Sequence, residues 1–182
     1  MLRKRFSAST FWKDCAIHKV TVAQYIGEIC RYLLRQGYTP EEKQHKVRAM
    51  IGNGLRAEIW PEFVSRFKIK QISEIYGSTD GNCQMGNFDG RVGAVGFVPV
   101  WLQKMNPFGL IRVNQETGEP LRNLRTSLAI RCKPGEAGEL VGKVVKNDPV
   151  REFPGYAGNN VENSEKILKN VFRDGDTYFR TG

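Results

Sequence analysis

In the first half of the chain the apolar positions switch between a helical and a strand period. Over residues 9–18, Phe11, Trp12, Cys15 and Ala16 fall on one helix face, and Ser9 or Thr10 can cap its start. The run Val20-Thr21-Val22-Ala23-Gln24-Tyr25 is β-rich. Ile26, Ile29, Cys30, Leu33 and Leu34 then share one stripe of a second helix, closed by Gly37 and Pro40, with Glu28, Arg31 and Arg35 facing outward. After a charged connector at 41–46, residues 47–51 read as a strand that runs straight into Gly52-Asn53-Gly54. Ile59, Phe63 and Phe67 mark a third helix; Pro61 requires it to begin near Trp60, with proline in the first turn. Residues 69–76 form another strand. Strand, helix, strand, helix, strand in this order implies right-handed crossovers and an α/β fold with a mostly parallel sheet.

Beyond Gly90 the texture changes. Short β-like runs at 93–97, 110–114, 128–132 and 139–145 are separated by turns such as Glu116-Thr117-Gly118 and Lys133-Pro134-Gly135. They predict a small antiparallel β-barrel or sheet, followed by a helix at 164–171 and a strand at 177–181. The boundary falls at 87–90, dividing the chain into an α/β part (1–88) and a β-rich part (89–182). There is no internal repeat and no low-complexity tract.

The 182 residues, 40% of them hydrophobic, suffice for the core of one domain. Lys and Arg number 28 against 19 Asp and Glu, a net charge of +9 that suits an anionic partner but reads more simply as a solvated basic surface. Nucleic acid is not expected: the basic residues are scattered from Arg3 to Arg180, without a zinc-finger, RNP-type or helix-turn-helix signature. Cys15, Cys30, Cys83 and Cys132 lie far apart, and His18 and His45 offer no zinc spacing to join them, so they read as reduced, packing thiols on a cytosolic face. The longest weakly apolar run, 93–102, is too short to span a bilayer. Membrane attachment is expected to come from sequence outside these residues. The chain ends at Thr181-Gly182, immediately after a strand-like aromatic run, and reads as a piece of a longer domain.

The sharpest chemical feature is Tyr76-Gly77-Ser78-Thr79-Asp80-Gly81-Asn82 at the C-terminal end of a predicted parallel strand, where open α/β sheets bind ligands. Gly77 and Gly81 let the backbone approach a phosphate, Ser78 and Thr79 supply hydroxyl donors, and Asp80 is the ligand type that magnesium prefers. Tyr76 can stack on a purine. A polar turn between strand and loop would also produce this heptad. Gly52-Asn53-Gly54 follows the preceding strand, one crossover away; alone it is a weak signal, but two glycine loops on consecutive parallel strands can frame a base and hold its phosphates.

Tyr76 to Asn82 resembles the Y-G-x-T-E-G-N motif of the fatty acid transport proteins, also called very-long-chain acyl-CoA synthetases, within the superfamily of adenylate-forming enzymes. The likeness extends to Val20-Thr21-Val22-Ala23-Gln24-Tyr25-Ile26-Gly27-Glu28, Ile51-Gly52-Asn53-Gly54-Leu55-Arg56, Asn87-Phe88-Asp89-Gly90, Lys133-Pro134-Gly135-Glu136, Gly138-Glu139-Leu140 and Tyr178-Phe179-Arg180-Thr181-Gly182. The resemblance covers essentially the whole chain, and the first of these tracts and the N-F-D-G stretch are specific to the fatty acid branch.

The resemblance implies part of an AMP-binding N-terminal domain, truncated and without its C-terminal lid domain. It also implies a ligase in which a long- or very-long-chain fatty acid attacks ATP to give an acyl-adenylate, after which CoA displaces AMP. Carried over, Thr79 contacts the α-phosphate and Asp80 approaches Mg2+, the two residues nearest the chemistry. Tyr76 stacks on adenine, Gly77 and Ser78 complete the phosphate loop, and Gly52, Asn53 and Gly54 line the adenine pocket. Tyr25, Ile26 and Gly27 lie in the tract beside the acyl channel, a tract that reads equally as core packing. Asp80 stands where the family has glutamate, one methylene longer. The aspartate expected after Gly182, an upstream Ser/Thr/Gly-rich phosphate loop and the lid lysine lie outside these residues, so the piece alone is expected to be inactive. The family implies membrane association, at the endoplasmic reticulum or plasma membrane, with the catalytic part facing cytosol. The alternatives are a fatty acid binding or transport role without ligase activity, and a non-catalytic truncated product.

Overall fold

The helix expected at 9–18 forms as α1 (Phe11–Ile17), and the next four elements follow in the expected order: β1 (Val22–Ile26), α2 (Gly27–Leu34), β2 (Ala49–Asn53) and α3 (Trp60–Phe67). Pro61 sits in the first turn of α3, where its missing N–H costs nothing. β3 (Gln71–Tyr76) completes three parallel strands. A short strand absent from the sequence reading, β4 (Met85–Asn87), adds antiparallel to β3, so the order is β1-β2-β3-β4.

The computed structural model describes residues 2–79, 81–158 and 160–182. These fall into two compact units, Met1–Tyr76 with Met85–Phe97, and Gly77–Gln84 with Val98–Gly182.

The core of the first unit lies between the helices and one face of the sheet, built from Trp12, Cys30, Leu33, Met50, Phe63, Phe67 and Ile72. Trp12 and Phe63 both pack on the Phe67 ring, with centroids 4.5 and 4.9 Å away. Arg66 of α3 donates to the carbonyls of Leu34 (2.7 Å) and Gln36 (2.8 Å) at the end of α2, and pairs with the buried Glu42. The guanidinium thereby satisfies carbonyls that a helix C-terminus leaves open. The opposite face of the sheet, carrying Val22, Ile26, Ile51 and Ile75, is largely exposed.

The second unit is an open four-stranded antiparallel sheet rather than a closed barrel. Its strands β5 (Phe108–Ile111), β6 (Glu139–Lys143), β7 (Ile167–Lys169) and β8 (Thr177–Arg180) are ordered β5-β6-β8-β7. Three sequence expectations need correction. Residues 93–97 form no strand: Gly93 takes a positive φ of 77°, which an L side chain in a ladder does not adopt. Residues 128–132 make only isolated bridges, at Ala129 and Arg131. The helix expected at 164–171 ends earlier, as α4 (Asn160–Glu165), and Ile167–Lys169 pairs with β8 instead. There the Asp176 carboxylate accepts the N–H groups of Val171 (2.6 Å), Phe172 (3.0 Å) and Arg173 (2.8 Å), closing a hairpin that overrides the helical spacing.

Three of the four cysteines, Cys15, Cys30 and Cys83, are buried packing thiols. Burial pushes Cys15 up to about 11 and Cys30 and Cys83 up to about 12, whereas Cys132 is only half-buried. At pH 8 the native chain is therefore expected to alkylate first at Cys132, with the other three reacting only after unfolding; mass spectrometry of a timed iodoacetamide reaction checks this. Among the described residues no helix is long and apolar enough to cross a membrane.

Candidate functional site

In the first unit, the expected site residues gather at the C-terminal ends of the parallel strands. The register places Tyr25 beside Gly52 and Gly52 beside Glu74, so these three stand in one row across the sheet, on its buried face. Tyr25 is 1% exposed and Glu74 2% exposed. The Tyr25 ring leans over Gly52, where an added Cβ would lie 2.8 Å from its Cγ, and its hydroxyl donates to the Glu74 carboxylate. Burial and this carboxylate together push the Tyr25 phenol well above its ordinary pKa, so it stays a donor.

Glu74 also receives the backbone N–H of Gly54 and that of Leu55 (3.3 Å). Among the described residues no ion pair reaches it. A buried carboxylate without a cation is tolerable only when several donors meet it, and here Tyr25, Gly54 and Leu55 supply them. Gly54 adopts φ +80°, and Gly27 packs so closely on the Gly54 carbonyl that no side chain fits between them. Ile26, Asn53 and Gly54 are exposed, and Tyr76, which ends β3, is 37% exposed.

The second unit holds Gly77, Ser78 and Thr79, the residues expected to follow the phosphates, all exposed. Asp80 lies outside the described residues. Gly81 packs tightly: an added Cβ would lie 2.8 Å from Ser78 Oγ and 3.0 Å from the Phe179 ring. Asn82 is buried and donates to the carbonyls of Gly142 (3.3 Å), Lys143 (3.0 Å) and Arg151 (3.2 Å), pinning the end of the loop to β6. The anchored end leaves the Ser78 and Thr79 side chains facing solvent, available to a ligand. Nearby, Arg180 forks onto Glu139, with Nη2 2.9 Å from the carboxylate, so the G-E-L and Y-F-R-T-G stretches meet across β6 and β8.

Among the described residues no group of three or more His, Cys, Asp or Glu side chains could hold a metal ion. A magnesium ion held between one carboxylate and the phosphates of a nucleotide needs no such group.

Two residues escaped the sequence reading, Glu74 and Asn82's role as an anchor. The signal for Glu74 was present: period-two alternation puts it on the same face as Ile72, making it an acid on the buried side of an apolar strand. Nothing local marks Asn82 as an anchor, because the carbonyls its amide holds lie at least 60 residues away.

No family model matches the chain. Its whole length is similar to long-chain fatty acid transport protein 1 of Mus musculus (50% identical) and of Homo sapiens (48% identical), and to long-chain fatty acid transport protein 6 of Homo sapiens (42% identical). The chain spans 28% of the first of these relatives. Among solved structures, ATP-bound MatB from Rhodopseudomonas palustris covers the whole chain at a TM-score of 0.65 and 19% identity. The MenE enzyme of Bacillus subtilis with ATP and magnesium does so at 0.58 and 17%. At such identities these two establish only the fold, that of part of an adenylate-forming domain. Along all of its residues, the chain belongs to the family of the long-chain fatty acid transport proteins, of whose members it matches a little over a quarter of the length.

Proposed function

We propose that the full-length protein is an ATP-dependent ligase that activates long- or very-long-chain fatty acids, first as the acyl-adenylate and then as the CoA thioester, and thereby couples activation to uptake. The observation that carries this reading is the run of expected site residues at consecutive parallel strand ends, Tyr25-Ile26-Gly27, Gly52-Asn53-Gly54 and Tyr76; in the second unit, the side chains of Ser78 and Thr79 are exposed. ATP-bound neighbours of the same fold and relatives named for fatty acid transport support it.

In this reading Gly52, Asn53 and Gly54 line the adenine pocket and Tyr76 stacks on the base. Gly77 and Ser78 follow the phosphates, and Thr79 donates its hydroxyl to the α-phosphate, where charge builds as the carboxylate attacks. Asp80 holds Mg2+, which supplies charge neutralisation at the phosphates. Ile26 and Gly27 border the acyl channel, with Tyr25 behind them in the core. Residues 1–88 and 89–182 are the α/β and β-rich parts of one AMP-binding domain, completed by a lid domain. Membrane association, at the endoplasmic reticulum or plasma membrane with this part facing cytosol, comes from sequence outside these residues.

The test is fatty-acid-dependent pyrophosphate release from ATP by the full-length protein, across acyl chain lengths. Release that needs both substrates supports the ligase; its absence at every length leaves a binding or transport role, or a non-catalytic product. In the same assay Asp80→Glu is expected to keep or raise the rate, because the carboxylate is retained with a longer reach. A large loss would contradict the metal role.

A further inference from the structure

We infer that Glu74 and Tyr25 are positioning residues for the nucleotide: they hold the Gly52-Asn53-Gly54 backbone in its ligand-ready shape without touching ATP. The inference rests on the ligase reading above and adds to it a device that sets ATP affinity. A glycine loop gains close approach at the cost of chain freedom, and ordering it on binding would weaken the ligand. In this protein the ordering is built in before any ligand arrives.

The Glu74 carboxylate takes the N–H groups of Gly54 and Leu55, two successive donors at the point where the chain leaves β2. It also accepts the Tyr25 hydroxyl, which reaches it across Gly52. An apolar residue at position 74 would fill the same space more cheaply, since burying an acid costs desolvation that only good hydrogen bonds recover. What an apolar residue could not do is fix the two amides, and with them the direction in which Asn53 and the Gly54 carbonyl point. Tyr25, expected beside the acyl channel, thus acts from inside the core, and its position on β1 joins the strand that ends at Ile26, just before Gly27, to the loop on β2.

The experiment uses the full-length protein and two readouts: the kinetics of pyrophosphate release, and hydrogen exchange at the Gly54 and Leu55 amides without nucleotide. Glu74→Gln puts an NH2 in place of one accepting oxygen. It is expected to raise the KM for ATP about tenfold, the equivalent of one charge-assisted hydrogen bond, with a smaller change in kcat. It also speeds exchange at both amides. Tyr25→Phe, which keeps the ring over Gly52, is expected to act in the same direction by about threefold, and the double variant to do less than the product of the two. Glu74→Asp, one methylene short, does not restore the wild-type KM.

Wild-type ATP KM and wild-type amide exchange in Glu74→Gln would overturn the inference. So would a lowered Tm with unchanged ATP KM, which marks a merely structural acid. If Glu74→Gln does not fold, Tyr25→Phe decides by the same two readouts. A wild-type protein that releases no pyrophosphate defeats the ligase reading instead, and the amide exchange still reports whether the pair holds the loop.

Discussion

Thr79→Ala in the full-length protein is expected to lower fatty-acid-dependent pyrophosphate release by about a hundredfold or more, the usual loss when one preorganised donor to a developing charge is removed. The effect falls on kcat, because the hydroxyl is needed most as charge gathers on the α-phosphate, and the KM for ATP changes little. Stability should stay near the wild-type value: Thr79 is exposed, and the loop is fastened by Asn82 and by the packing of Gly81 on Phe179. Thr79→Ser keeps the donor and should recover most of the rate. A Thr79→Ala protein that retains a fifth or more of the activity would make the heptad a polar turn after all. Paired with Glu74→Gln, the experiment separates two kinds of loss, one in kcat from the phosphate side and one in ATP KM from the adenine side.

How much of this was legible in the sequence depended on how local the cause was. The alternation of helical and strand periods up to Tyr76 is a local signal, and α1, β1, α2, β2, α3 and β3 form where it placed them, within a few residues. Pro61 even fixed the start of α3, through the geometry of a single ring. The second unit was harder because its short strands are defined by partners far along the chain: Ile167 pairs with Phe179, and its helix-like spacing with Val171 loses to the ladder and to the Asp176 cap. The candidate site divides in the same way. Glycine and hydroxyl residues in the two loops are visible in any reading, whereas the reason for Gly52 is a tyrosine 27 positions earlier crossing to an acid 22 positions later. Sequence spacing offered Gly52 as a ligand-facing glycine; the register adds that it is also the gap through which Tyr25 reaches Glu74.

That gap makes Gly52→Ala the substitution with the largest expected effect on stability. The new Cβ would overlap the Tyr25 carbonyl oxygen and lie 2.8 Å from the Tyr25 ring, so both backbone and side chain of β1 must move. Moving the ring breaks its bond to Glu74 and leaves a buried acceptor short of a donor; moving the backbone opens the β1–β2 ladder at Tyr25 and Ile26. Overpacking against a rigid neighbour costs about 3 kcal/mol, which lowers the unfolding temperature of the part that contains this sheet. Gly27→Ala, which would strike the Gly54 carbonyl, belongs to the same class, while Gly37→Ala, with open space around it, should be neutral or slightly stabilising. Thermal unfolding of the three variants checks the ranking. Because the closest atom to the new Cβ is a backbone oxygen, trimming the ring in Tyr25→Ala should not rescue Gly52→Ala but deepen its loss by a cavity. Rescue by that trimming would mean that the ring alone, and not the strand, is what Gly52 makes room for.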